Sequence, residues 1–530
     1  MFELCDRSLV SGFLDTNSGR IVNGDGKPII LAGWNIGNWL LPEGYMWLSG
    51  EGNRFDRPRR IEQVIRELAG SEYAAGFWKK FRDRFITEKD IAHIAELGFN
   101  SIRIPINWRV ILKDEPGIQW EEDGFKLIEQ CLDWCEKHRL YAFLDLHGAP
   151  GGQTGANIDD SVDDLPRLFI DEDSWEKGIE IWRELARRFG DRWIVGGYDL
   201  LNEPLKPGLG DDMSLNPYLS KLCEFYAESA KAIREIDKKH LLTIEGSNWA
   251  TNTNVFCQKY DEKVIQHFHR YAVVPSVESF RCYQEVAEGF GEPLWLGESG
   301  ENKAEWFAAL YPLSVSLGIG YCMWTWKRME GDCSALSVAK PEGWDEIIGY
   351  THGGKKPDYR KVQKILDTYL DNMLFESCKE NEVISNSALR RPGFTLRATD
   401  FDLEGHSNAY DKGNPFGYQV HSGMELVMSP IAGETKKGFG FDSAWDMFSL
   451  RLSKGEFASY TVNSKERFFF SIEAEGEAEL AVRFQSSDQK VLIGKEGRTS
   501  KLEFDPGMGP LRIEAVSGSA LLHRLIFGKA

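Results

Sequence analysis

The sequence predicts an α/β protein in which a (β/α)8 barrel is followed by a smaller all-β sandwich domain. Between about residues 28 and 374, short apolar runs alternate with amphipathic helical patterns, as in a parallel sheet wrapped by helices. Eight such runs occur, the number of strands that closes this type of barrel. After about residue 376, short alternating runs are bounded by Gly, Asp and Ser, which is typical of an antiparallel sandwich. We therefore predict a barrel domain over residues 1–375 and a sandwich domain over residues 376–530.

Each predicted barrel strand is an apolar run of the length expected for a strand buried on both faces. The alternative is an open doubly wound sheet, which usually has a glycine-rich G-x-G-x-x-G turn after its first strand, and this sequence has none there. A last amphipathic pattern, Asp358–Met373, supplies the closing helix. The eight predicted strands are Lys27–Trp34, Asn100–Ile106, Leu140–His147, Gly197–Asn202, Leu241–Gly246, Val264–His269, Pro293–Glu298 and Gly320–Trp326.

Helix-terminal residues mark two of the intervening helices. Thr87 is a predicted N-cap, Asp90 stands at the third position of a capping box, and Gly98 ends the pattern. A second helix is predicted over Ser174–Gly190. These signals support alternating strands and helices.

Charge and cysteine content exclude several classes of partner. The formal net charge is −19, which disfavours nucleic acid and anionic membrane surfaces as main partners. No run of 18 apolar residues occurs, and the start, "MFELCDRSLV", lacks the pattern of a signal peptide. The nine cysteines are scattered and form no C-x-x-C motif. We therefore expect a cytoplasmic protein with reduced thiols, or a secreted one if a leader was removed. The oligomeric state stays open.

Polar side chains stand at the carboxyl ends of the predicted strands, where barrel enzymes carry their chemistry. Glu203 follows the fourth strand and Glu298 ends the seventh, so they face each other across the barrel mouth. Glycoside hydrolysis requires two such carboxyls, one as an acid and one as a nucleophile or base. The other candidates at strand ends are Arg103, His147, Asn202, His269, Tyr271, Trp324 and Trp326.

The environments of the two glutamates are expected to separate their pKa values. Arg103 and Tyr271 are predicted to keep Glu298 ionised, while a partly desolvated cleft raises the pKa of Glu203. Trp324 offers a flat apolar face to a sugar ring, and Asn202 offers hydrogen bonds to a hydroxyl group. A retaining enzyme needs the carboxyls about 5–5.5 Å apart, and an inverting one about 6.5–9.5 Å.

Metal-dependent hydrolysis is an alternative, with Asp145, His147, His267 and His269 as ligands. Barrel metallohydrolases usually have H-x-H on the first strand, and "LAGWNIGNW" has none. We therefore expect no metal and no cofactor. His267 is assigned to no site, and a structural or solvated role is expected for it.

Seven stretches follow one another in this order: "GWNIGNWLLPE", "LGFNSIRIPINW", "LDLHGAPGGQTG", "LLNEP", "FHRY", "WLGESGE" and "YCMWTWK". Together they resemble glycoside hydrolase family 5, a family of clan-A retaining β-glycosidases on (β/α)8 barrels, over roughly residues 20 to 375. The resemblance is closest to the branch that contains exo-β-1,3-glucanases.

The resemblance implies that Glu203 is the acid/base and Glu298 the nucleophile. It implies that Trp324, or alternatively Trp326, is the sugar platform, and that Glu43 grips the terminal sugar. The remaining polar candidates match the family's substrate-binding residues; they are Arg103, His147, Asn202, His269 and Tyr271. The expected substrate is a β-linked oligosaccharide or β-glucoside, hydrolysed from its end. Endo-β-glucanase, β-mannosidase, glycosylceramidase, transglycosylase and an inactive sugar-binding protein stay open as alternatives.

The C-terminal region weakly resembles the carbohydrate-binding modules that often accompany such barrels. Tyr410, Phe441 and Trp445 are candidate sugar platforms. The alternative is that these aromatic residues form the core of the sandwich.

Overall fold

The computed structural model describes residues 6–50, 54–209, 217–403, 419, 422–428, 447–494 and 497–530. After a short hairpin of β1 (Asp15–Asn17) and β2 (Arg20–Val22), eight strands pair in parallel, each with its neighbour in chain order. The last strand also pairs with the first, so the sheet closes and the predicted barrel is confirmed. The strands are β3 (Ala32–Asn35), β4 (Ser101–Asn107), β5 (Tyr141–Gly148), β6 (Val195–Asp199), β7 (Leu241–Glu245), β8 (Val264–His269), β9 (Leu294–Gly300) and β10 (Gly320–Trp324).

The first and the last barrel strands are shorter than predicted by two or more residues. The first begins at Ala32 rather than Lys27, because Pro28 forms an antiparallel bridge to Val22 of the hairpin. The last ends at Trp324 rather than Trp326. The chain beyond it enters a small separate sheet of β11 (Lys327–Met329), β12 (Leu336–Val338) and β13 (Lys379–Glu380).

Helices pack around the barrel and extend beyond it. In the described part of the chain, no helix has the length and apolar character needed to cross a membrane. The helices are α1 (Pro58–Ala69), α2 (Ser71–Phe85), α3 (Glu88–Glu96), α4 (Trp108–Ile111), α5 (Glu122–His138), α6 (Glu172–Phe189), α7 (Pro217–Arg234), α8 (Ser247–Ala250), α9 (Glu278–Phe290), α10 (Ala304–Ser316), α11 (Trp344–Thr351), α12 (Tyr359–Asn372) and α13 (Glu382–Ala388).

Capping interactions explain where these helices begin. The predicted capping box at Thr87 is present, and the Asp90 carboxylate accepts the Thr87 N–H at 2.9 Å. Helix α6 begins at Glu172, two positions before the predicted Ser174, and the side chain of its N-cap residue Asp171 makes no capping hydrogen bond. Asp358 caps α12 by accepting two backbone N–H groups of the first turn.

After α13, from Phe394 onward, the described residues form antiparallel β-strands, as predicted. Its strands pair in one continuous network in which two long strands, β18 and β22, pair along most of their length. The strands are β14 (Phe394–Arg397), β15 (Glu425–Met428), β16 (Phe448–Ser453), β17 (Phe457–Ser464), β18 (Phe468–Phe484), β19 (Ser487–Ile493), β20 (Gly497–Arg498), β21 (Leu502–Phe504) and β22 (Gly507–Lys529).

Strand β18 bends back on itself. The rings of Phe468 and Phe484, its first and last residues, have centroids 5.4 Å apart. A straight strand of this length would separate them by about 50 Å. The sheet therefore folds into two layers around an aromatic core, which is the geometry of a sandwich. The candidate platforms Tyr410, Phe441 and Trp445 lie outside the described residues, and the domain boundary at residue 375 stays a prediction.

Candidate active site

Two glutamates meet at the mouth of the barrel. Glu298 lies in β9, and Glu203 follows the end of β6. A carboxylate oxygen of one lies within 4.8 Å of a carboxylate oxygen of the other. Glu203 has a φ of 42°, which is uncommon for a residue with a side chain. Its N–H donates to Glu245 Oε2 at 2.6 Å, so a buried carboxylate fixes the backbone that carries Glu203.

Arg103, on β4, is fully buried at the centre of the site. The carboxylates around it raise its pKa well above the usual range, although burial alone would lower it. A buried cation is stable only when it is paired and hydrogen-bonded in this way. Its partners are Glu298 at 2.8 Å, Asp199 at 2.7 Å, Glu245 at 2.9 Å, Asp145 at 3.1 Å, Asn202 at 2.8 Å and Asn35 at 3.1 Å.

Each carboxylate oxygen of Glu298 has its own donor. Arg103 Nη1 donates to Oε2 at 2.8 Å, and the Tyr271 hydroxyl donates to Oε1 at 2.7 Å. Burial raises the pKa of Glu298, and the Arg103 charge, His147 and the Tyr271 hydrogen bond oppose that rise. Both donors favour the ionised form of Glu298, which is the form that a nucleophile needs.

The environment of Glu203 favours the protonated form more strongly than that of Glu298 does. Burial raises its pKa well above the usual value, and the negative charge of Glu298 raises it further. Its Oε1 lies 2.7 Å from Nδ1 of His269, whose own pKa burial lowers well below the usual value. Two carboxyl groups with pKa values pushed apart are suited to act as an acid and a nucleophile.

His147 and Asn202 lie beside the glutamates. His147 Nδ1 lies 2.7 Å from Asp145 Oδ2, and its Nε2 lies 3.2 Å from Asn202 Nδ2. Burial lowers the pKa of His147 to about 3, and the Arg103 charge adds to the effect. His147 is therefore neutral at pH 7, with Asp145 fixing its orientation.

Three further side chains line the side of the mouth at β3 and β10. Trp324 stacks on His147 with ring centroids 5.3 Å apart and an interplanar angle of 8°. Its Nε1 donates to the Tyr45 hydroxyl at 2.6 Å. Glu43 Oε1 is buried, has no hydrogen-bond partner among the described residues and lies 3.9 Å from His147 Nε2. An unpaired buried carboxylate oxygen is available to accept a hydrogen bond from a ligand hydroxyl.

Trp326 does not lie at the site, and its prediction as an alternative sugar platform is wrong. Its indole is fully buried, donates to Asp90 Oδ1 at 3.0 Å and packs edge-on against Trp34. Because β10 ends at Trp324, the side chain two positions later turns towards helix α3 rather than the mouth.

Several polar residues of the site were not identified from the sequence. Most of them lie on barrel strands. Residues two positions apart on a strand share a face, so Asp145 could have been predicted from His147, and His267 from His269. Asp145 was considered only as a metal ligand, and His267 only as a metal ligand or as a structural or solvated residue. The residues assigned no role there are Asn35, Tyr45, Asp199 and Glu245.

Trp249 was also missed. Asn248, Trp249 and Ala250 all have φ between 56° and 59°, so the turn α8 is left-handed. Such conformations cost about 1–2 kcal/mol per residue, and strain of this kind concentrates at functional sites. The Trp249 N–H donates to the Leu205 carbonyl at 3.3 Å, in the segment of Glu203, while its side chain is 37% exposed.

Two groups of described side chains have ligand atoms close enough together for a metal ion. They are Glu245, His267 and His269, and Glu203, His269 and Glu298. In both groups the atoms already bond to one another or to Arg103. A cation among the candidate ligands disfavours a second cation. We therefore assign these side chains to a hydrogen-bond network.

Comparison with known proteins places these residues in a family. Residues 61–330 match the family model described as cellulase (glycosyl hydrolase family 5). The chain belongs to glycosyl hydrolase family 5. The predicted resemblance is thereby confirmed. The match covers every site residue described above except Asn35, Glu43 and Tyr45, which precede residue 61.

Three curated relatives of this family 5 chain have different named activities. It is 29% identical to a β-xylosidase of Phanerodontia chrysosporium, over 59% of this chain and 60% of the relative. It is 34% identical to endoglucanase C of Acetivibrio thermocellus, over 37% and 53% respectively. It is 31% identical to a glucan 1,3-beta-glucosidase of Candida oleophila, over 39% and 48%. The chain thus spans 48% to 60% of the length of these relatives.

Proposed function

We propose that this protein is a retaining β-glycosidase that hydrolyses β-glucosidic linkages by double displacement. The observation that carries the proposal is the pair of carboxylates within 4.8 Å of each other, one held by Arg103 and Tyr271 and the other next to neutral His269. An upper bound of 4.8 Å between one oxygen of each carboxyl supports the spacing of about 5–5.5 Å in retaining enzymes over the spacing of about 6.5–9.5 Å in inverting ones.

In the first step, the ionised Glu298 attacks the anomeric carbon. The bond from that carbon to the leaving oxygen breaks, and Glu203 gives its proton to that oxygen. Glu298 is suited to attack because its two donors orient the carboxylate. The product is a glycosyl ester of Glu298 and a free alcohol.

In the second step, Glu203 acts as a base. It takes a proton from a water molecule, whose oxygen attacks the anomeric carbon and displaces Glu298. The sugar leaves with its original configuration, and both carboxyls return to their starting protonation states. A sugar acceptor in place of water would give transglycosylation by the same chemistry.

The arrangement of the mouth supports binding of a chain end. In the closed barrel, β10 lies opposite β6, and β3 lies opposite β7. Trp324 and Glu43 therefore stand across the mouth from Glu203 and Trp249. We assign the glycone to the side of Trp324 and Glu43, where the unpaired Glu43 oxygen accepts from a terminal sugar hydroxyl. The leaving group then lies beside Glu203, with Trp249 as its platform.

The names of the relatives support a β-linked sugar substrate. Their names specify β-xylosidase, endoglucanase and glucan 1,3-beta-glucosidase activities. We propose exo-action on β-glucan oligosaccharides or β-glucosides, because the buried Glu43 carboxyl lies beside His147, where it can bind the hydroxyl of a terminal sugar. The products formed from β-1,3-, β-1,4- and β-1,6-linked oligosaccharides of defined length distinguish the two modes of action. Exo-action releases glucose from the chain end, whereas endo-action cleaves internal linkages.

The decisive test uses azide with Glu298→Ala and Glu203→Ala on an activated aryl β-glucoside. Both variants should lose about a thousandfold or more in activity. Azide should rescue Glu203→Ala with a β-glycosyl azide product, and Glu298→Ala with an α-glycosyl azide, because azide replaces water in one case and the nucleophile in the other.

The matched control is Glu292→Gln. Glu292 is also buried, but it precedes β9, away from the mouth, and its carboxylate accepts a hydrogen bond from Gln266. It should keep wild-type activity. Wild-type protein that binds oligosaccharides without cleaving them would support an inactive binding protein. Equal activity of wild type and both alanine variants would rule out the glutamate pair as the catalyst.

A further inference from the structure

A chain of hydrogen bonds joins buried Asp199 to Glu203 through two histidines. His267 Nδ1 lies 3.2 Å from Asp199 Oδ1, and the Nε2 atoms of His267 and His269 lie 3.0 Å apart. His269 Nδ1 then lies 2.7 Å from Glu203 Oε1. Both histidines and Asp199 are fully buried, so no solvent competes for these contacts.

The protonation of the chain follows from its two ends. Burial alone would raise the pKa of Asp199, but the Arg103 charge and the hydrogen bond from His267 hold it below the usual range, so Asp199 is a carboxylate. A carboxylate only accepts hydrogen bonds, so the proton between it and His267 lies on His267 Nδ1. Burial lowers the pKa of both histidines, so each is neutral and carries one N–H.

The remaining protons have one consistent arrangement. With its proton on Nδ1, neutral His267 offers only a lone pair at Nε2, and His269 must donate to it from its own Nε2. His269 Nδ1 is then an acceptor, and the contact at 2.7 Å requires a proton on Glu203. Two lone pairs facing each other at that distance would repel.

The barrel provides a fitted space for His267. Gly297 lies on the neighbouring strand β9, and a Cβ atom added there would lie 1.8 Å from His267 Nε2. The imidazole also lies against the Trp295 ring, with centroids 4.8 Å apart. Glycine at position 297 therefore leaves the volume that the His267 ring fills, directly beside Glu298.

We propose that His267 is a positioning residue for Glu203. His267 acts through His269 and keeps the acid proton on the Glu203 carboxyl. The inference rests on the proposed function, since it explains how the acid stays protonated beside an anionic nucleophile. When Glu203 gives its proton to the leaving oxygen, its carboxylate faces the lone pair of His269. That repulsion favours return of a proton to Glu203 from the attacking water in the second step.

Other titratable groups also surround the acid. Glu298 and Glu43 raise the pKa of Glu203, while Arg103 opposes them. Glu245 Oε1 lies 3.4 Å from His269 Nε2 and 3.5 Å from His267 Nδ1, at the edge of the chain. A variant at His267 loses the contact with Glu245. His267→Leu and His267→Gln both lose it, so a comparison of these two variants holds that effect constant. The charged and titratable groups around the chain and the acid are Glu43, Arg103, Asp145, His147, Asp199, Glu245, Tyr271 and Glu298.

The first test reads the tautomers without any substrate. Protein labelled with ¹⁵N-histidine is studied by long-range ¹H–¹⁵N correlation at pH 7, with His267→Gln and His269→Gln to assign the signals. We expect the Nδ1–H form for His267 and the Nε2–H form for His269. The opposite tautomer at either residue, or a doubly protonated ring, would overturn the proposal.

The second test separates acid assistance from general damage. His267→Leu removes the acceptor for His269, whereas His267→Gln can still accept through its amide oxygen. In His267→Leu, His269 is free to donate from Nδ1 and stabilise an ionised Glu203. We expect about tenfold or greater loss of kcat/KM on oligosaccharides and less than about threefold loss on a 2,4-dinitrophenyl glycoside, whose departure needs little acid assistance.

The pH profile gives a further readout. The alkaline limb of kcat/KM should move to lower pH in His267→Leu and stay close to wild type in His267→Gln. Gly297→Ala, which displaces the ring without removing it, should behave like His267→Leu and covers the case in which the leucine variant does not fold. Equal loss on both substrates with an unchanged alkaline limb would contradict the role. A wild type inactive on both substrates would reject the proposed function, while the tautomer measurement would still decide the inference.

Discussion

The Tyr271 hydroxyl donates to Glu298 Oε1 at 2.7 Å, while Arg103 occupies the other oxygen of the same carboxylate. The two donors come from different elements, one after β8 and one on β4. They hold the carboxylate plane in one orientation and stabilise its charge. An attacking carboxylate needs both effects. A misdirected Glu298 cannot reach the anomeric carbon, and a protonated Glu298 cannot attack it.

Tyr271→Phe tests the value of that hydrogen bond. Loss of the phenol removes a donor that lowers the pKa of Glu298, so its pKa rises and the acidic limb of kcat/KM moves to higher pH. We expect about tenfold loss of activity on the acidic side, the effect of losing one hydrogen bond to a charged group. Tyr73→Phe, which loses a bond to the Gln363 carbonyl on α12, is the control and should leave the profile unchanged. An unshifted acidic limb would show that Tyr271 does not set the ionisation of Glu298.

Arg103→Lys tests the central cation. Lysine keeps the charge but not the planar set of donors that reaches carboxylates on several strands. We expect a loss of about a hundredfold or more in kcat/KM, and a fall in stability of about 3–5 kcal/mol because buried carboxylates lose their partner. Urea unfolding and kinetics of the same preparation measure both. Arg192→Lys, in a partly exposed contact with Asp133, is the control. Wild-type stability of Arg103→Lys would contradict the central role of this network.

The strand ends were predictable, and the connections between them were not. Arg103, His147 and His269 stood out because parallel strands of a barrel point their carboxyl ends at one mouth. Glu245 also ends a strand, yet its bond to the Glu203 backbone depends on a chain reversal after β6 that no local pattern encodes. The separation of Trp324 from Trp326 depends on where β10 ends, and strand ends are the least certain part of a sequence-based prediction.

The network around the two histidines shows the same limit. His267 and His269 have the spacing of one strand face, so their proximity follows from the sequence. Their tautomers depend on Asp199 of β6 and on the space left by Gly297 of β9, both distant in the chain. Trp249 was hidden for a different reason, since a left-handed turn of three residues other than glycine contradicts ordinary backbone preferences.

The capping box of α3 offers a test of the fold that leaves the site intact. Thr87→Ala removes the hydroxyl that bonds Asp90, and Asp90 in turn contacts Lys327 and Trp326. We expect a loss of about 0.5–2 kcal/mol in the free energy of unfolding, measured in urea, with kcat/KM unchanged. Thr87→Ser keeps the cap and should be close to wild type. A lost activity at full stability would mean that α3 influences the mouth in a way the contacts do not show.

Trp249→Ala tests the assignment of the leaving-group side. Stacking on an indole stabilises a flat leaving group, a pyranose or an aryl ring, and its loss corresponds to about tenfold in kcat/KM. A glycosyl fluoride has no such surface, so its hydrolysis should change by less than about twofold. Trp249→Phe should keep most of the activity on oligosaccharides, and Tyr359→Ala, an exposed aromatic on α12, is the control for general surface effects. Transfer to an added sugar acceptor should fall together with oligosaccharide hydrolysis, because the acceptor occupies the place of the leaving group. Equal losses of activity on the fluoride and on the oligosaccharide would show that Trp249 stabilises its turn and does not bind the leaving group.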